Sequence, residues 1–78
     1  MSWEDILKKR SVKELVQNAL DLHGGTSDFY RETYTEKDIQ KIISFFKDEL
    51  KRDRIDKFEI EYYNKALKLL EKAKEKLQ

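Results

Sequence analysis

The side chains that most often carry catalysis or bind metals are scarce in this sequence. It contains one histidine, His23, and no cysteine, so it has neither a thiolate metal site nor a disulfide. Gly24-Gly25 follows a predicted helix and lacks the spacing of a phosphate-binding loop. At a helix C-terminus, a histidine is expected to interact with the last carbonyl groups. We therefore expect no enzyme, no catalytic residues, no metal site and no cofactor.

Lysines near the end of the chain have a regular spacing. Four of them follow one another at helical intervals: Lys65, Lys68, Lys72 and Lys76. A cationic ridge of this kind can follow phosphate groups, which makes a nucleic-acid-binding accessory protein one hypothesis. Against it, Glu71 and Glu75 interrupt the neighbouring surface, Glu61 pairs favourably with Lys65, and the arginines suited to base recognition lie elsewhere. A solvated helix face is the simpler interpretation.

Four large apolar side chains fall outside the apolar stripes of the predicted helices: Phe45, Ile60, Tyr63 and Leu67. Ile60, Tyr63 and Leu67 have the i, i+3, i+7 spacing of side chains that dock a helix into a groove. They indicate a small non-enzymatic protein-interaction module (an adaptor, inhibitor or assembly factor) that binds another protein or a second copy of itself. The alternative is that the last helix is packed on two sides, which would make these residues part of the core.

Three aromatic residues crowd a polar segment beside Arg31: Phe29, Tyr30 and Tyr34. Such rings can stack on bases or sugars. The sequence favours the other interpretation, in which they cover the open end of a helical bundle.

The segment IEYYNKALKL at residues 60–69 resembles the second helix of a tetratricopeptide repeat, whose common form is similar to IEYYQKALEL. Ile60, Tyr63, Ala66 and Leu67 match residue by residue. The resemblance covers about ten residues, and no second copy follows at the offset of the repeat. It implies an amphipathic helix that packs on another helix, and it favours protein–protein contact without assigning binding residues.

Capping patterns predict where the helices begin. Ser11 and Glu14 form an S-x-x-E capping box before a helix over residues 11–23, which Gly24-Gly25 ends. Thr35 precedes a second helix over 36–50, and Asp56 caps a third that spans 55–77. A short helix starting at Ser2 precedes them. The predicted fold is an all-α small three- to four-helix bundle, with a short N-terminal helix and three amphipathic helices.

The apolar stripes of successive helices point in roughly opposite directions, which requires the chain to bend near residues 8–11 and 51–56. The apolar stripe that the helical period predicts for the last helix has eight members: Ile55, Phe58, Tyr62, Ala66, Leu69, Leu70, Ala73 and Leu77. Residues 57–62 also alternate between polar and apolar as a strand does, so a small β element is the alternative there.

Size and composition restrict the possible classes of protein. The chain has 78 residues, of which 38% are hydrophobic and 42% charged, with a formal net charge of +1. These values predict a single domain over residues 1–78, exclude a general polycation, and leave room for an oligomer because so small a core is marginal. No apolar run is long enough for a membrane span, and the acidic N-terminus is unlike a signal peptide. A cytoplasmic protein is expected.

Overall fold

The computed structural model of the protein describes residues 9–24 and 27–78. Within these residues, each of three α-helices begins at a residue whose side chain caps it. These helices are α1 (Val12–Asp21), α2 (Glu36–Leu50) and α3 (Lys57–Leu77), and a 3₁₀ turn, η1 (Ser27–Phe29), lies between α1 and α2. The all-α prediction is confirmed, and the described residues contain no strand. The predicted N-terminal helix begins within residues 1–8, which lie outside the described part of the chain.

Helix α1 begins and ends with local hydrogen bonds. The Ser11 hydroxyl accepts from the backbone N–H of Glu14 at 3.2 Å, as the sequence predicts. At the other end, the backbone N–H of His23 donates to the Leu20 carbonyl at 3.1 Å. Gly24 then takes a φ of +74°. A side chain is strained at that angle, so Gly24 ends the helix at low cost and directs the chain away from it.

Helix α2 begins with a complete capping box. The Thr35 hydroxyl accepts from the Asp38 backbone N–H at 3.2 Å, and the Asp38 carboxylate accepts from the Thr35 backbone N–H at 3.0 Å. The Thr35 backbone N–H, followed by its hydroxyl, lowers the pKa of the Asp38 carboxyl. The first turn of α2 is therefore fixed by two reciprocal bonds.

Replacing Thr35 by alanine is expected to destabilise the fold by about 1 kcal/mol, because loss of the capping hydroxyl leaves a backbone N–H of α2 unpaired. Chemical denaturation monitored by circular dichroism measures this difference. Thr33→Ala is the matched control, because Thr33 is also exposed and lies outside the helix. Equal losses from the two substitutions would contradict a role for the cap.

The lowered pKa of Asp38 gives a dependence on pH with a defined sign. Folding favours the carboxylate, so this group's contribution is present above its unfolded pKa of about 3.9 and is lost as the pH falls through the lower folded pKa. Asp38→Asn should therefore lower the denaturation midpoint at neutral pH and become indistinguishable from wild type in strong acid. Asp48→Asn, at the opposite end of α2, should show no such convergence.

Helix α3 is continuous from its cap. The Asp56 carboxylate accepts from the Phe58 backbone N–H at 2.9 Å, and the Ile60 N–H donates to the Asp56 carbonyl at 3.0 Å. Residues 57–62 are thus helical, and the alternative of a β element there is wrong. The described helices also include none that is both long and apolar enough to cross a bilayer.

Helix α3 lies between the other two. It packs along both α1 and α2, whose backbones make few contacts with each other. The Lys74 ammonium donates to the Gln40 side chain at 2.9 Å, so the late turns of α3 lie beside the early turns of α2. The residues after α1 and the last turn of α2 both reach the first turns of α3. The end of α1 and the start of α2 therefore lie at opposite ends of α3.

The buried stripe of α3 agrees with the predicted one in the later turns, where Ala66, Leu69, Leu70 and Ala73 are buried, and differs in the first two turns. Phe58 is 63% exposed and Tyr62 is 44% exposed, so their predicted place in the core is wrong. Tyr63, which lies outside the predicted stripe, is buried and packs on His23 and Phe46. Phe58, in the first turn, does not reach the core cluster.

The aromatic connection covers the core, as the sequence favours. Tyr34 is buried, and its hydroxyl accepts from the Arg31 backbone N–H at 3.0 Å. The Phe29 ring packs on Phe45 with 5.2 Å between the ring centroids. Tyr30 is exposed, and its hydroxyl donates to Asp21 at 2.6 Å. Packed rings and surface hydrogen bonds join this connection to the helices, and a second such bond to α1 runs from the Lys13 ammonium to Glu32 at 2.9 Å.

Candidate functional site

Two aromatic side chains stand out of the first two turns of α3. Phe58 and Tyr62 are one helical turn apart and share a face, with 63% and 44% of their surfaces exposed. Single exposed apolar residues are common on protein surfaces, whereas adjacent large aromatic ones are typical of contact sites.

The same face of α3 carries the lysines that the sequence singles out. Phe58, Lys65 and Lys72 follow at seven-residue spacing and so lie along one line of the helix. We call this surface the aromatic–lysine face, and its members are Phe58, Tyr62, Lys65, Lys68, Lys72 and Lys76. It is apolar at the start of α3 and cationic further along.

Carboxylates moderate the charge of this face. Lys65 lies 3.9 Å from Glu61, and Lys72 lies 3.5 Å from Glu75. Both pairs are exposed and of low energy, so a partner can replace them at little cost. The interleaved glutamates leave this face less cationic than its lysines alone would make it.

The four predicted partner-binding residues do not form one exposed surface. Tyr63 is only 5% exposed and belongs to the core, and Phe45 is half-buried against it. Leu67 is also half-buried and packs against the core, whereas Ile60 is 39% exposed. Ile60 and Leu67 share a side of α3 that is distinct from the aromatic–lysine face. The structure thus brings Phe45 and Tyr63 together inside and leaves Ile60 outside.

Phe45 and Tyr63 both belong to an aromatic cluster around His23. The imidazole stacks on Tyr63 at 5.2 Å with an interplanar angle of 15°. Its centroid lies 4.9 Å from Phe45 and 5.8 Å from Phe46. His23 Nδ1 lies 2.6 Å from the Gly24 carbonyl oxygen. The sequence predicts an interaction of His23 with the last carbonyls of the helix, whereas the observed partner, Gly24, lies beyond the end of α1.

A chain of charged groups borders this cluster. His23 Nε2 lies 3.6 Å from Glu49, which pairs with Arg52 at 3.2 Å. Arg52 also binds Glu59 at 2.7 Å, and the Tyr63 hydroxyl donates to Glu59 at 3.2 Å. Burial, followed by the hydrogen bond to Glu59, raises the pKa of Tyr63. The chain connects the ends of α1 and α2 to the turns of α3 that carry Phe58 and Tyr62.

Sequence reasoning missed Phe58 and Tyr62 as surface residues, although one signal was available. Lysines follow Phe58 at seven and fourteen residues, which is the spacing of a single helix face. A line on which most positions are lysine is normally solvated, so an aromatic residue on it is expected at the surface.

Comparison of the chain with protein-family models, with curated proteins and with solved structures finds no match.

Proposed function

We propose that this protein is a small non-enzymatic protein-interaction module, acting as an adaptor, inhibitor or assembly factor. Its partner is an acidic segment of another protein, which binds the aromatic–lysine face of α3. The observation that carries the proposal is the exposure of Phe58 and Tyr62 on adjacent turns of one helix. Rings of this size are the usual anchors of protein–protein contacts.

Charge complementarity supports an acidic partner. The lysines beyond the two rings offer cationic contacts along about 20 Å of helix, given its rise of 1.5 Å per residue. An apolar side chain of the partner would rest on Phe58 and Tyr62 while its carboxylates meet the lysines. A second copy of this chain is less suitable, because antiparallel pairing of two α3 helices would place Lys65 and Lys68 of both copies together.

Site-specific photo-crosslinking in the native host tests the proposal. A benzophenone amino acid at position 62 is expected to yield a crosslinked product with one protein. The matched control carries the same group at Ile60, which is also exposed but lies on the side of α3 away from the aromatic–lysine face. Products of equal yield from both positions, or from neither, would reject this face as the contact.

Purified components then test the chemistry of the contact. Phe58→Ser and Lys68→Glu are each expected to weaken binding of the identified partner at least tenfold. Lys37→Glu, an exposed change on α2, is the control and should leave affinity almost unchanged. Weakening of equal size by Lys37→Glu would indicate a general charge effect in place of a specific site.

Two further outcomes would replace the proposal. Light scattering behind a sizing column is expected to give the mass of a monomer at all concentrations, and a stable dimer would assign the face to self-association. Labelled single-stranded and duplex oligonucleotides are expected not to bind at low salt. Binding that weakens steeply with salt and requires Lys65, Lys68, Lys72 and Lys76 would favour the nucleic-acid accessory function.

A further inference from the structure

The imidazole of His23 has a polar atom whose hydrogen-bonding capacity is unused. Among the buried side-chain nitrogen and oxygen atoms of the described residues, His23 Nε2 is the one without a hydrogen-bond partner. A buried polar atom without a partner is destabilising, because it loses its hydrogen bonds to water and gains none in the protein. Such an atom in the side chain that titrates near neutral pH suggests a second state in which the atom is satisfied.

The geometry shows what that second state is. Nδ1 lies 2.6 Å from the Gly24 carbonyl, which only accepts, so the proton of the neutral ring is on Nδ1. Nε2 then directs a lone pair toward the Glu49 carboxylate at 3.6 Å. Adding a proton to Nε2 converts this contact into a charge-assisted interaction and gives both ring nitrogens an acceptor.

Charged, titratable and aromatic groups face the ring from each element packed against it. From α2, Glu49 faces Nε2, and from α3 the face of Tyr63 stacks on the ring, which attracts a cation. Arg52, in the α2–α3 linker, opposes the charge but is itself shared between Glu49 and Glu59. Phe45 and Phe46 are neutral. On the side of α1, Asp21 accepts from Tyr30, and a cation after a helix C-terminus is stabilised by the helix dipole.

We infer that protonation of His23 strengthens its contact with Glu49. Through the ion pairs and hydrogen bond that link Arg52, Glu59 and Tyr63, this contact also stabilises the first turns of α3. Those turns present Phe58 and Tyr62. The regulatory meaning of this step rests on the function proposed above, since the docking face would be better ordered at mildly acidic pH than at alkaline pH. The stabilising contact between protonated His23 and Glu49 is a property of the isolated chain.

Chemical denaturation at about pH 8 and about pH 5.5, on either side of histidine titration, tests whether the contact between His23 and Glu49 stabilises the fold. The wild-type unfolding constant is expected to be a few-fold smaller at the lower pH, because protonated Nε2 gains the contact with Glu49. His23→Phe retains a ring in the cluster but binds no proton, and Glu49→Gln removes the carboxylate. Both variants should lose most of this difference. A wild-type protein that is equally stable or less stable at the lower pH would overturn the inference, as would an unchanged difference in His23→Phe.

Amide hydrogen exchange locates the effect and covers the case in which a variant is too unstable to compare. After correction for intrinsic rates, residues 57–63 are expected to exchange more slowly at the lower pH, relative to residues 66–73 of the same helix. An equal change in both segments would reject a local action on the docking turns. Because no partner is present in either experiment, failure here leaves the crosslinking result standing, and failure of the crosslinking leaves this result standing.

Discussion

Phe46→Ala is expected to destabilise the protein by about 3–5 kcal/mol, the usual loss for a large ring removed from a core. Phe46 has no exposed surface and is among the largest fully buried side chains described. It also contacts the rings of His23, Phe45 and Tyr63. Because a core of this size rarely supplies more than about 3–5 kcal/mol of stability, this variant should be partly unfolded at room temperature.

Phe58→Ala is the matched control for that experiment. It removes the same atoms from a side chain that is 63% exposed, so its effect on stability should stay within about 0.5 kcal/mol. Urea denaturation followed by circular dichroism measures both variants. Similar losses from the two substitutions would mean that Phe58 is buried, as the periodicity of the sequence predicts, and would remove the basis for the docking face.

Tyr63→Ala is expected to have the second large effect, with a loss of about 3 kcal/mol or more. The ring of Tyr63 stacks on His23 and packs edge-on to Phe46, so its removal opens a cavity where the three helices meet. Tyr63→Phe retains the ring and removes only the hydrogen bond to Glu59, which should cost about 1 kcal/mol.

The neighbouring Tyr62→Ala provides the comparison in the same helix. Its side chain is 44% exposed, so thermal unfolding should change little, whereas crosslinking and binding to a partner should be impaired. Tyr63→Ala would act in the opposite way, through stability first. If Tyr62→Ala were the more destabilising of the two, the placement of Tyr63 in the core and of Tyr62 at the surface would be wrong.

Helix positions in this chain are predictable because their signals are local. Ser11, Thr35 and Asp56 each bond to a backbone N–H two or three residues later, and these bonds depend only on neighbouring residues. Gly24 similarly ends α1 through its own φ angle. The bend between α2 and α3 also follows from the sequence, since two opposed apolar stripes cannot belong to one straight helix.

Hydrophobic periodicity alone does not show which residues are buried in the first two turns of α3. Apolar residues nearly encircle these turns, because Ile60 and Tyr63 lie on sides of the helix other than the side shared by Phe58 and Tyr62. Which of them is buried depends on where α1 and α2 lie, and that is tertiary information. The position of Phe45 has the same origin: it is off the main stripe of α2, but Phe29 and His23 come from distant parts of the chain to cover it.

The central position of α3 has a consequence for the order in which the protein folds. Helices α2 and α3 are joined by a short linker and can pair through contacts that are close in sequence, which form quickly. Helix α1 finds its main surface on α3 only after a loop containing all of α2 has closed. We therefore expect the α2–α3 hairpin to form the folding nucleus and α1 to join it late, so that mutations in α1 mainly accelerate unfolding.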